Sequence, residues 1–350
     1  MGTINLQKVF IIAEAGSNWR MGTAKRDMAA ARTLIEAAAE AGADAVKFQT
    51  YRPETVYVAN AGTSDYLSAA GINDDIRDIF ADLAMPYEMI PELMEHAKRH
   101  GIKFMSSPFS VADFDAIDPY VEAHKIASFE LSHLRLLERA GRSKKPLFLS
   151  CGASNERDIA WAVDTFLAAG GSDLILLQCT SKYPAPASSL NLRVIPWLQQ
   201  RFNLPVGLSD HSREPATAPI AAVALGARVI EKHFTLNNKL PGPDHAFAIT
   251  VPELHELVRQ IRLTEQMLGT ADKVILNDEA ELASYARRGI QAIGPIAQGE
   301  LLREGVNVDT LRPGKQRLGI HPKHLPRIEG KPTTRDIPAG DGIHYGDWIE

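Results

Sequence analysis

The amino-acid sequence predicts a TIM barrel followed by a small domain rich in β-structure. Eight short apolar runs recur in the first three quarters of the chain, and segments with helical periodicity separate them. Most runs end in polar residues, and in a barrel the carboxyl ends of all eight strands converge on one face. Near the C-terminus the pattern changes to a tail rich in glycine and proline without helical periodicity.

Several of the runs are nearly continuous in apolar residues, as expected of parallel strands that are covered on both faces. The runs are Val9–Glu14, Ala45–Gln49, Lys103–Ser107, His124–Ser128, Leu147–Ser150, Leu174–Thr180, Val206–Ser209 and Val229–His233. A doubly wound open sheet would show the same alternation of strands and helices. The polar run ends favour the closed barrel, because an open sheet would spread them along an edge.

Helical periodicity and capping signals set the boundaries of the predicted domains. Thr250 and Glu253 have the spacing of a capping box, and Gly269 follows as a C-terminal stop. The predicted barrel domain is therefore 1–269, with a linker over 270–286 and the small β domain over 287–350. Within the tail, two six-residue segments resemble each other, Pro295–Glu300 and Asp336–Asp341, which suggests a pseudo-symmetric module.

Composition restricts the class of protein. The chain is 45% hydrophobic and 23% charged, so its 350 residues are enough for a large core and a second small domain. A net charge of -5 without a long basic run argues against nucleic acid as the partner. The N-terminus shows neither a signal peptide nor a membrane anchor, so we expect a cytoplasmic protein. Cys151 and Cys179 end apolar runs, which is typical of reduced, buried thiols.

Two histidines follow successive predicted strands. His211 comes after the seventh run and His233 ends the eighth, so in a barrel they would be neighbours. Neutral imidazoles bind divalent first-row metals, and two of them would leave positions open for substrate oxygens. Each histidine taken alone is more often a structural residue, so the shared placement carries the prediction of a metal site.

Two lysines and several hydroxyl groups form a second group at the run ends. Lys47 lies between Val46 and Phe48, a poor setting for a charge without a partner. A phosphate and a carboxylate together need several cations and hydroxyl donors, and the run ends supply both. The polar residues concerned are Lys47, Ser107, Lys125, Ser128, Ser150 and Ser209. No Gly-rich nucleotide-binding loop is present.

Four acidic residues are candidates for a general base or for binding sugar hydroxyls, namely Glu14, Glu130, Asp210 and Asp244. Asp244 lies in the segment Pro241-Gly242-Pro243-Asp244, where an aspartate is usually explained by turn chemistry.

Short motifs at the run ends occur in a specific order along almost the whole chain. They are Ile11–Gly16, Val46–Thr50, Ser106–Phe109, Lys125–Ser128, Cys179–Pro184, Gly207–His211, Glu231–Thr235 and Pro241–Asp244. At these residues the sequence closely resembles the N-acetylneuraminate (sialic acid) synthase family, which includes legionaminate and other nonulosonate synthases. The tail resembles the antifreeze-like (SAF) module of that family at Leu311–Gly314.

The resemblance implies a reaction and a set of ligands. The methylene carbon of phosphoenolpyruvate would attack the open-chain aldehyde of an N-acyl amino sugar, water would add, and phosphate would leave. His211 and His233 would bind a divalent ion of the manganese type, with Mg²⁺ or Co²⁺ as substitutes. Phosphoenolpyruvate would be held by Lys47, Ser107, Lys125, Ser128, Ser150 and Ser209. Glu14, Gln49, Tyr183 and Asp244 would face the sugar, with Glu14 as the candidate base for water.

The resemblance also implies a homodimer in which the tail of one chain docks on the barrel of its partner. Arg312 would then contact the N-acyl group of a sugar bound to the neighbouring chain. A tail of about 60 residues is too small to bury a large core alone, which agrees with docking onto a larger surface.

The sequence departs from the family at two places. Family members commonly have a histidine after the asparagine that follows the first strand, whereas this chain has Trp19 after Asn18. Cys151 stands where a hydroxyl residue before glycine is usual. We expect the Trp19 indole to lie beside the barrel mouth and to affect sugar recognition. The sugar itself stays open among N-acetylmannosamine, a diacetamido-trideoxyhexose and a 6-phosphate.

Two other functions are compatible with the residues. A Schiff-base aldolase would use Lys47, Lys125 or Lys232 as a nucleophile. A sugar-binding or ice-binding protein would use the tail and have no catalytic activity. The TIM barrel alone does not distinguish them, because it hosts many chemistries.

Overall fold

The chain folds into two compact units, the first ending at Gly269 and the second beginning at Thr270. The structure is a computed structural model that describes residues 4–65, 68 and 72–349. No helix among these residues is long and apolar enough to cross a membrane.

Eight strands paired in parallel form the centre of the first unit. They are β1 Phe10–Gly16, β2 Ala45–Thr50, β3 Lys103–Pro108, β4 His124–Ile126, β5 Leu147–Ser150, β6 Leu174–Cys179, β7 Val206–Asp210 and β8 Val229–Thr235. Their order in the sheet is β3-β2-β1-β8-β7-β6-β5-β4. Residues of β3 and β4 also approach within 8 Å between Cα atoms, so the barrel is nearly closed. This is the predicted TIM-barrel arrangement.

Helices surround these strands. They are α1 Ala24–Glu40, α2 Pro53–Val56, α3 Ile76–Leu83, α4 Met89–Arg99, α5 Val111–Ile117, α6 Leu134–Ser143, α7 Glu156–Ala168, α8 Val194–Phe202, α9 Thr217–Ala224 and α10 Val251–Leu268. The predicted boundaries of α10 are confirmed, because Thr250 and Glu253 form the capping box and Gly269 follows at φ 53°. A two-residue strand, β9 Ile249–Thr250, pairs with β8 just before this helix.

The strands agree closely with the predicted runs, and the main difference is at β4. The run was expected to extend to Ser128, but β4 ends at Ile126 and residues Ser128–Glu130 form a 3-10 helix. The backbone therefore turns earlier here, and this turn brings Ser128 back toward the next strand, where its Oγ accepts a hydrogen bond from the backbone of Gly152.

Alternation along the strands divides the apolar residues into two layers. Phe10 and Ile12 pack with apolar residues of other strands, and no helix contributes to this cluster, so it fills the barrel interior. Ile11 and Ala13 belong to a larger cluster that includes the inner faces of the helices. Successive strand residues point to opposite faces, and each face is therefore buried against a different layer.

A glycine on β7 allows three strands to pack closely inside the barrel. A Cβ atom at Gly207 would lie 2.6 Å from Cβ of Val229 and 2.7 Å from Cδ2 of Leu177. It would also collide with the carbonyl oxygen of Val229. The neighbouring strands β6 and β8 thus fill the space that a β7 side chain would occupy.

We expect Gly207→Ala to lower the stability of the barrel by about 1–3 kcal/mol, the usual cost of overpacking a core. Urea denaturation measures this change. Gly294→Ala is the control, because a Cβ at Gly294 meets nothing within 4 Å. Equal midpoints for Gly207→Ala and the wild type would contradict the close packing of these strands.

The second unit contains a small antiparallel pair, β10 Gly289–Ala292 with β11 Val308–Leu311. The described residues of this unit also form the short α-helices α11 Ala280–Tyr285 and α12 Leu325–Ile328. The two similar segments of the tail pair with each other, because Ile296 and Ile337 exchange backbone hydrogen bonds of 2.9 Å in both directions. Both side chains lie in one apolar cluster with Trp348. The internal similarity therefore corresponds to a structural pairing.

Candidate active site

The polar residues of the barrel lie on the inward face of the strands, above the apolar interior. Alternation places Glu14 on the same face of β1 as Phe10 and Ile12. The other strands repeat this pattern at their carboxyl ends. The inward polar residues are Glu14, Lys47, Gln49, Ser107, Lys125, Ser150, Ser209, Glu231 and His233, and all except Gln49 are buried. The strand ends thus form one polar layer at the barrel mouth.

Ion pairs between lysines and glutamates hold this polar layer together. Nζ of Lys47 lies 2.6 Å from Oε2 of Glu14 and 3.8 Å from Oε2 of Glu231. Nζ of Lys125 lies 3.4 Å from Oε1 of Glu231. Lys47 also donates to Oγ of Ser107 at 3.0 Å. Glu231 therefore stands between the two lysines, and each buried charge has an opposite partner.

The environment shifts the pKa values of these groups in different directions. Burial raises the pKa of Glu14 to about 7, although the charge of Lys47 opposes the shift. For Glu231, burial is outweighed by Lys125 and Lys47, which lower its pKa. Burial would lower the pKa of Lys47, but Glu14 and Glu231 outweigh it and raise that pKa. Near neutral pH, Glu14 is consequently the member of the group that can exchange a proton.

The two predicted metal-binding histidines lie side by side. The ring centroids of His211 and His233 are 5.4 Å apart. Nδ1 of His211 lies 2.9 Å from the carbonyl oxygen of Thr180, which can only accept, so Nδ1 carries a hydrogen and Nε2 is the atom with a lone pair in the neutral ring. This is the usual orientation of a metal-binding histidine.

His233 has the chemistry of a neutral ligand. Burial, followed by the charges of His211 and Lys47, holds the pKa of His233 well below its usual value. Within the described part of the chain its Nδ1 has no hydrogen-bond partner, and Oδ2 of Asp244 lies 3.9 Å away. The imidazoles of His211 and His233 and a nearby carboxylate are a donor set that fits a divalent first-row metal ion.

The loop after β8 approaches the end of β1. Oγ of Ser17 donates to Oδ2 of Asp244 at 3.3 Å, and a Cβ at Gly16 would lie 2.8 Å from the same oxygen. Gly16 has φ 52°, so this position favours glycine both for its backbone conformation and for space. Asp244 therefore belongs to the mouth and not to an isolated turn.

Gln49 and Tyr183 complete the sugar-facing residues predicted from sequence. Nε2 of Gln49 donates to Oε1 of Glu14 at 3.2 Å. The Tyr183 ring stacks on His211, with centroids 4.2 Å apart and planes 29° apart. Both residues thus contact groups of the polar layer directly.

A group of hydroxyls surrounds the loop after β5. The backbone N–H of Gly152 donates to Oγ of Ser128 at 2.9 Å. A Cβ at Gly152 would lie 2.8 Å from that oxygen and would collide with Oγ of Ser181. Among the described residues, the buried Oγ atoms of Ser150 and Ser181 have no hydrogen-bond partner. Their unused donors suit the oxygens of an anionic group.

Within the first unit, the structure brings together the predicted site residues except the acidic candidate Asp210, which points to the outer face of the barrel and pairs with Lys232. Arg312 belongs to the second unit, where it is exposed directly after β11. The sequence interpretation missed Glu231, Gly152 and Ser181. Glu231 could have been found, because it lies two residues before His233 and so on the same face of the strand.

One expectation about the mouth was wrong. Trp19 is 2% exposed and packs in the apolar layer between strands and helices, so its indole does not line the mouth. The neighbouring Asn18 instead points toward β8, where its Nδ2 donates to the carbonyl oxygen of Phe234 at 2.9 Å. Cys151 and Cys179 are free and buried, as predicted.

A second group that could hold a metal ion lies on the outside of the barrel. Nε2 of His96 is 2.9 Å and Nε2 of His100 is 4.0 Å from Oε1 of Glu36. The ligand atoms of these three residues lie within 4.8 Å of one another. Glu36 lies on α1, whereas the histidines lie at the end of α4, so this group is separate from His211 and His233.

Comparison with known proteins places the chain in a family. The family model described as the NeuB family matches residues 34–273, more than half of the sequence. The chain belongs to the NeuB family. It is 39% identical to the spore coat polysaccharide biosynthesis protein SpsE of Bacillus subtilis, with 97% of this chain and 93% of that protein aligned.

Other relatives of this NeuB-family chain are named synthases of nonulosonic acids. It is 36% identical to a pseudaminic acid synthase of Campylobacter jejuni, over 98% of this chain and 97% of that protein. The solved N-acetylneuraminic acid synthetase of Leptospira borgpetersenii is similar with a TM-score of 0.70 and 32% identity, over 79% of this chain and 91% of that structure. The resemblance predicted from the sequence motifs is therefore confirmed.

Glu130 is a buried carboxyl group near this site. It ends the 3-10 helix after β4, and its Oε2 has no hydrogen-bond partner in the described structure. Burial raises the pKa of Glu130 to about 7 from an ordinary value of 4.5. Between pH 4.5 and pH 7, Glu130 holds its proton in the folded state but has lost it in the unfolded state. The free energy of unfolding therefore falls as the pH rises through this interval.

We expect Glu130→Gln to become more stable than the wild type by up to about 3 kcal/mol between pH 4.5 and pH 7. The neutral amide keeps the shape but cannot ionise. Urea midpoints of both proteins at pH 5 and pH 8 measure the change. A difference between the two proteins that does not depend on pH would show that Glu130 does not titrate in this interval.

Proposed function

We propose that this chain is a nonulosonic acid synthase that condenses phosphoenolpyruvate with an N-acyl amino sugar and releases phosphate. The observation that carries the proposal is the buried polar layer, which combines two lysines, several hydroxyls and two adjacent histidines at one barrel mouth. The names of the relatives support the same chemistry, since two of them are synthases of pseudaminic acid and of N-acetylneuraminic acid.

Phosphoenolpyruvate would be bound by the lysines and hydroxyls of this layer. Lys47 and Lys125 supply positive charge, while Ser107, Ser128, Ser150 and Ser209 supply hydrogen bonds. Ser209 donates to Oε1 of Glu231 at 2.9 Å, so its hydroxyl hydrogen is directed at present to the carboxylate. Because Glu231 cancels one lysine charge, a divalent ion would help to balance a substrate that carries both a phosphate and a carboxylate.

His211 and His233 would hold this ion, proposed to be Mn²⁺, with Mg²⁺ or Co²⁺ as substitutes. When bound, the ion would polarise the aldehyde oxygen of the sugar and stabilise the negative charge that develops there. The protein contributes by keeping the imidazole of His233 neutral, since burial favours its uncharged form.

The sugar would lie against Gln49, Tyr183 and Asp244, with its aldehyde carbon next to the methylene carbon of phosphoenolpyruvate. Holding the two carbons in contact supplies much of the rate enhancement. A carbon–carbon bond forms as the π bond of the aldehyde opens, so the aldehyde oxygen takes up negative charge and the former enol carbon becomes an oxocarbenium centre. Water adds to that carbon and gives one proton to the Glu14 carboxylate, which returns it to the former aldehyde oxygen. The carbon–oxygen bond to phosphate then breaks, and the second proton of the water leaves with the phosphate, so the products are a ketone and hydrogen phosphate.

Glu14 suits the role of base because of its position and its pKa. Its Oε1 accepts from Gln49 and its Oε2 faces Lys47, so the carboxyl group is fixed between both predicted substrate sites. A base with a pKa of about 7 is partly ionised at neutral pH and can both take and return a proton.

The Schiff-base alternative is less consistent with the surroundings of Lys47 and Lys232. A nucleophilic lysine needs a lowered pKa, whereas ion pairing with Glu14 and Glu231 raises the pKa of Lys47. Lys232 faces away from the mouth and has four oxygen partners elsewhere.

We further propose that the second unit is an antifreeze-like (SAF) module over 287–350, joined by a linker over 270–286. Arg312 would act on the partner's sugar in a domain-swapped homodimer. In support, Arg312 is exposed and stands directly before Pro313 and Gly314, where Gly314 has φ 61° and turns the chain sharply. The cytoplasm is the proposed compartment.

The function is tested by phosphate release from phosphoenolpyruvate with a panel of amino sugars, with and without Mn²⁺. We expect release that depends on both the sugar and the metal ion, and the best sugar identifies the substrate. The panel contains N-acetylmannosamine, its 6-phosphate and a diacetamido-trideoxyhexose. If a folded, metal-loaded sample releases no phosphate with any sugar, the proposal is wrong.

Two variants of the proposed site and one control variant are tested in this assay. His211→Ala is expected to abolish release while the fold is retained. Lys47→Met is expected to lower kcat/KM for phosphoenolpyruvate by about 10–100-fold, the loss of one hydrogen bond to a charged group. Lys8→Met, at an exposed position before β1, is the matched control and should leave kcat/KM unchanged.

The exchange of the tail is tested by mixing two inactive chains. An Arg312→Ala chain and a His211→Ala chain form hybrid dimers, in which one barrel has both histidines and receives a native Arg312 only in trans. We therefore expect activity to return on mixing, up to about one quarter of wild type if subunits exchange randomly and only one of two barrels works. If the mixture stays inactive after subunit exchange is confirmed, Arg312 does not act at the site of the neighbouring chain.

A further inference from the structure

Lys232 is a buried charge on the outer face of the barrel. It lies between Glu231 and His233 on β8, so alternation points its side chain away from the interior that these two residues face. It is nevertheless only 1% exposed. Its Cα partner on β7 is Asp210, whose side chain consequently lies on the same outer face. This ion pair therefore cannot contact a substrate at the mouth.

Among the residues that the structure describes, the hydrogen bonds of the Lys232 ammonium are all made to one short segment of the chain. Nζ lies 2.6 Å from Oδ2 of Asp210 and 2.6 Å from the carbonyl oxygen of Ser212. It lies 2.8 Å from the carbonyl oxygen of Glu214 and 3.2 Å from Oγ of Ser212. An ammonium has three donors, and these four oxygens use all of them. The segment 210–214 includes His211.

Segment 210–214 has a hydrogen bond within itself, and it also contacts other residues of the site. The backbone N–H of Ser212 donates to Oδ1 of Asp210 at 2.8 Å. The carbonyl oxygen of His211 accepts from the backbone N–H of Ala185 at 3.0 Å. Tyr183, two residues before Ala185, stacks on the His211 ring. Contacts thus continue from Lys232 through the backbone around His211 to Tyr183.

Burying an ammonium away from water is unfavourable unless its donors are fully used, and an apolar residue would fill this position at lower cost. The geometry points to a role for the charge: we propose that Lys232 is a positioning residue that fixes the direction of the His211 imidazole relative to His233. This inference rests on the proposed function, in which both imidazoles bind one divalent ion. Partners that orient a metal ligand commonly change metal affinity by about 10–100-fold when they are removed.

The test compares Mn²⁺ affinity between variants, measured from the free Mn²⁺ signal in electron paramagnetic resonance. The main variant is Lys232→Met with Asp210→Asn, because the double change leaves no unpaired buried carboxylate. We expect its Kd for Mn²⁺ to rise by about 10–100-fold. The milder variant Ser212→Ala removes one oxygen partner of Lys232, and we expect a rise of about threefold. Ser212→Ala tests the role of Lys232 if the double variant does not fold.

A matched control separates positioning from loss of stability. Arg262 on α10 is a cation that joins chain segments at the opposite end of the barrel, where it donates to the carbonyl oxygen of Val9 at 2.7 Å and to Oδ2 of Asp44 at 2.9 Å. Arg262→Met should lower the melting temperature but leave the Kd for Mn²⁺ within about twofold of wild type, whereas the Lys232 variants change the Kd.

The outcomes distinguish this inference from the proposed function. If His211→Ala and the wild type bind Mn²⁺ equally, the ion is not at His211 and the proposed function itself fails. If His211→Ala loses affinity while Ser212→Ala and any folded double variant bind like the wild type, only the role of Lys232 is overturned. The role of Lys232 is also overturned if Arg262→Met raises the Kd for Mn²⁺ as much as the Lys232 variants do. The loss of Mn²⁺ affinity would then follow from any loss of stability.

Discussion

The barrel mouth depends on the compensation of buried charge around Lys47. An ammonium in this position has lost its water, so it is stable only because carboxylate oxygens of Glu14 and Glu231 lie 2.6 Å and 3.8 Å from it. Those carboxylates come from β1 and β8, and the second lysine comes from β4. Four side chains on different strands must therefore be in register if each buried charge is to have an opposite partner. The nearly closed sheet provides that register, and in return the ion pairs link its strand ends.

The same ion pairs give the two carboxyl groups different pKa values. Glu231 lies near both lysines and stays ionised, whereas Glu14 is buried beside one lysine and has a pKa of about 7. Two carboxyl groups in one layer thus divide into a permanent anion and a group that exchanges protons. An anionic substrate would compete with Glu231 for the lysines. Its binding energy would then include the cost of rearranging that carboxylate.

Most of the barrel could be predicted because its signals are local. Apolar runs, helical spacing and the Thr250–Glu253 capping box depend on residues close in sequence, and β4 differed only where a 3-10 helix replaced its last residues. The polar run ends and the family resemblance likewise predicted most of the site residues, whereas strand alternation, which was not applied, would have added Glu231. Trp19 could not be placed this way, because its burial depends on the helices that pack over it. The approach of Gly152 to Ser181 depends on two loops that are far apart in sequence.

Strand β8 carries polar residues on both of its faces. Glu231 and His233 lie on the face toward the barrel interior, and Lys232 lies on the outer face. Insertions or deletions in a loop usually leave the faces of the neighbouring strands unchanged. Loss of one residue inside β8 would instead reverse every later side chain, moving a histidine under the helices and a lysine into the mouth. Natural length variation in this family should therefore avoid β8 and collect in the loops, and libraries that shorten or extend the chain should respect the same limit.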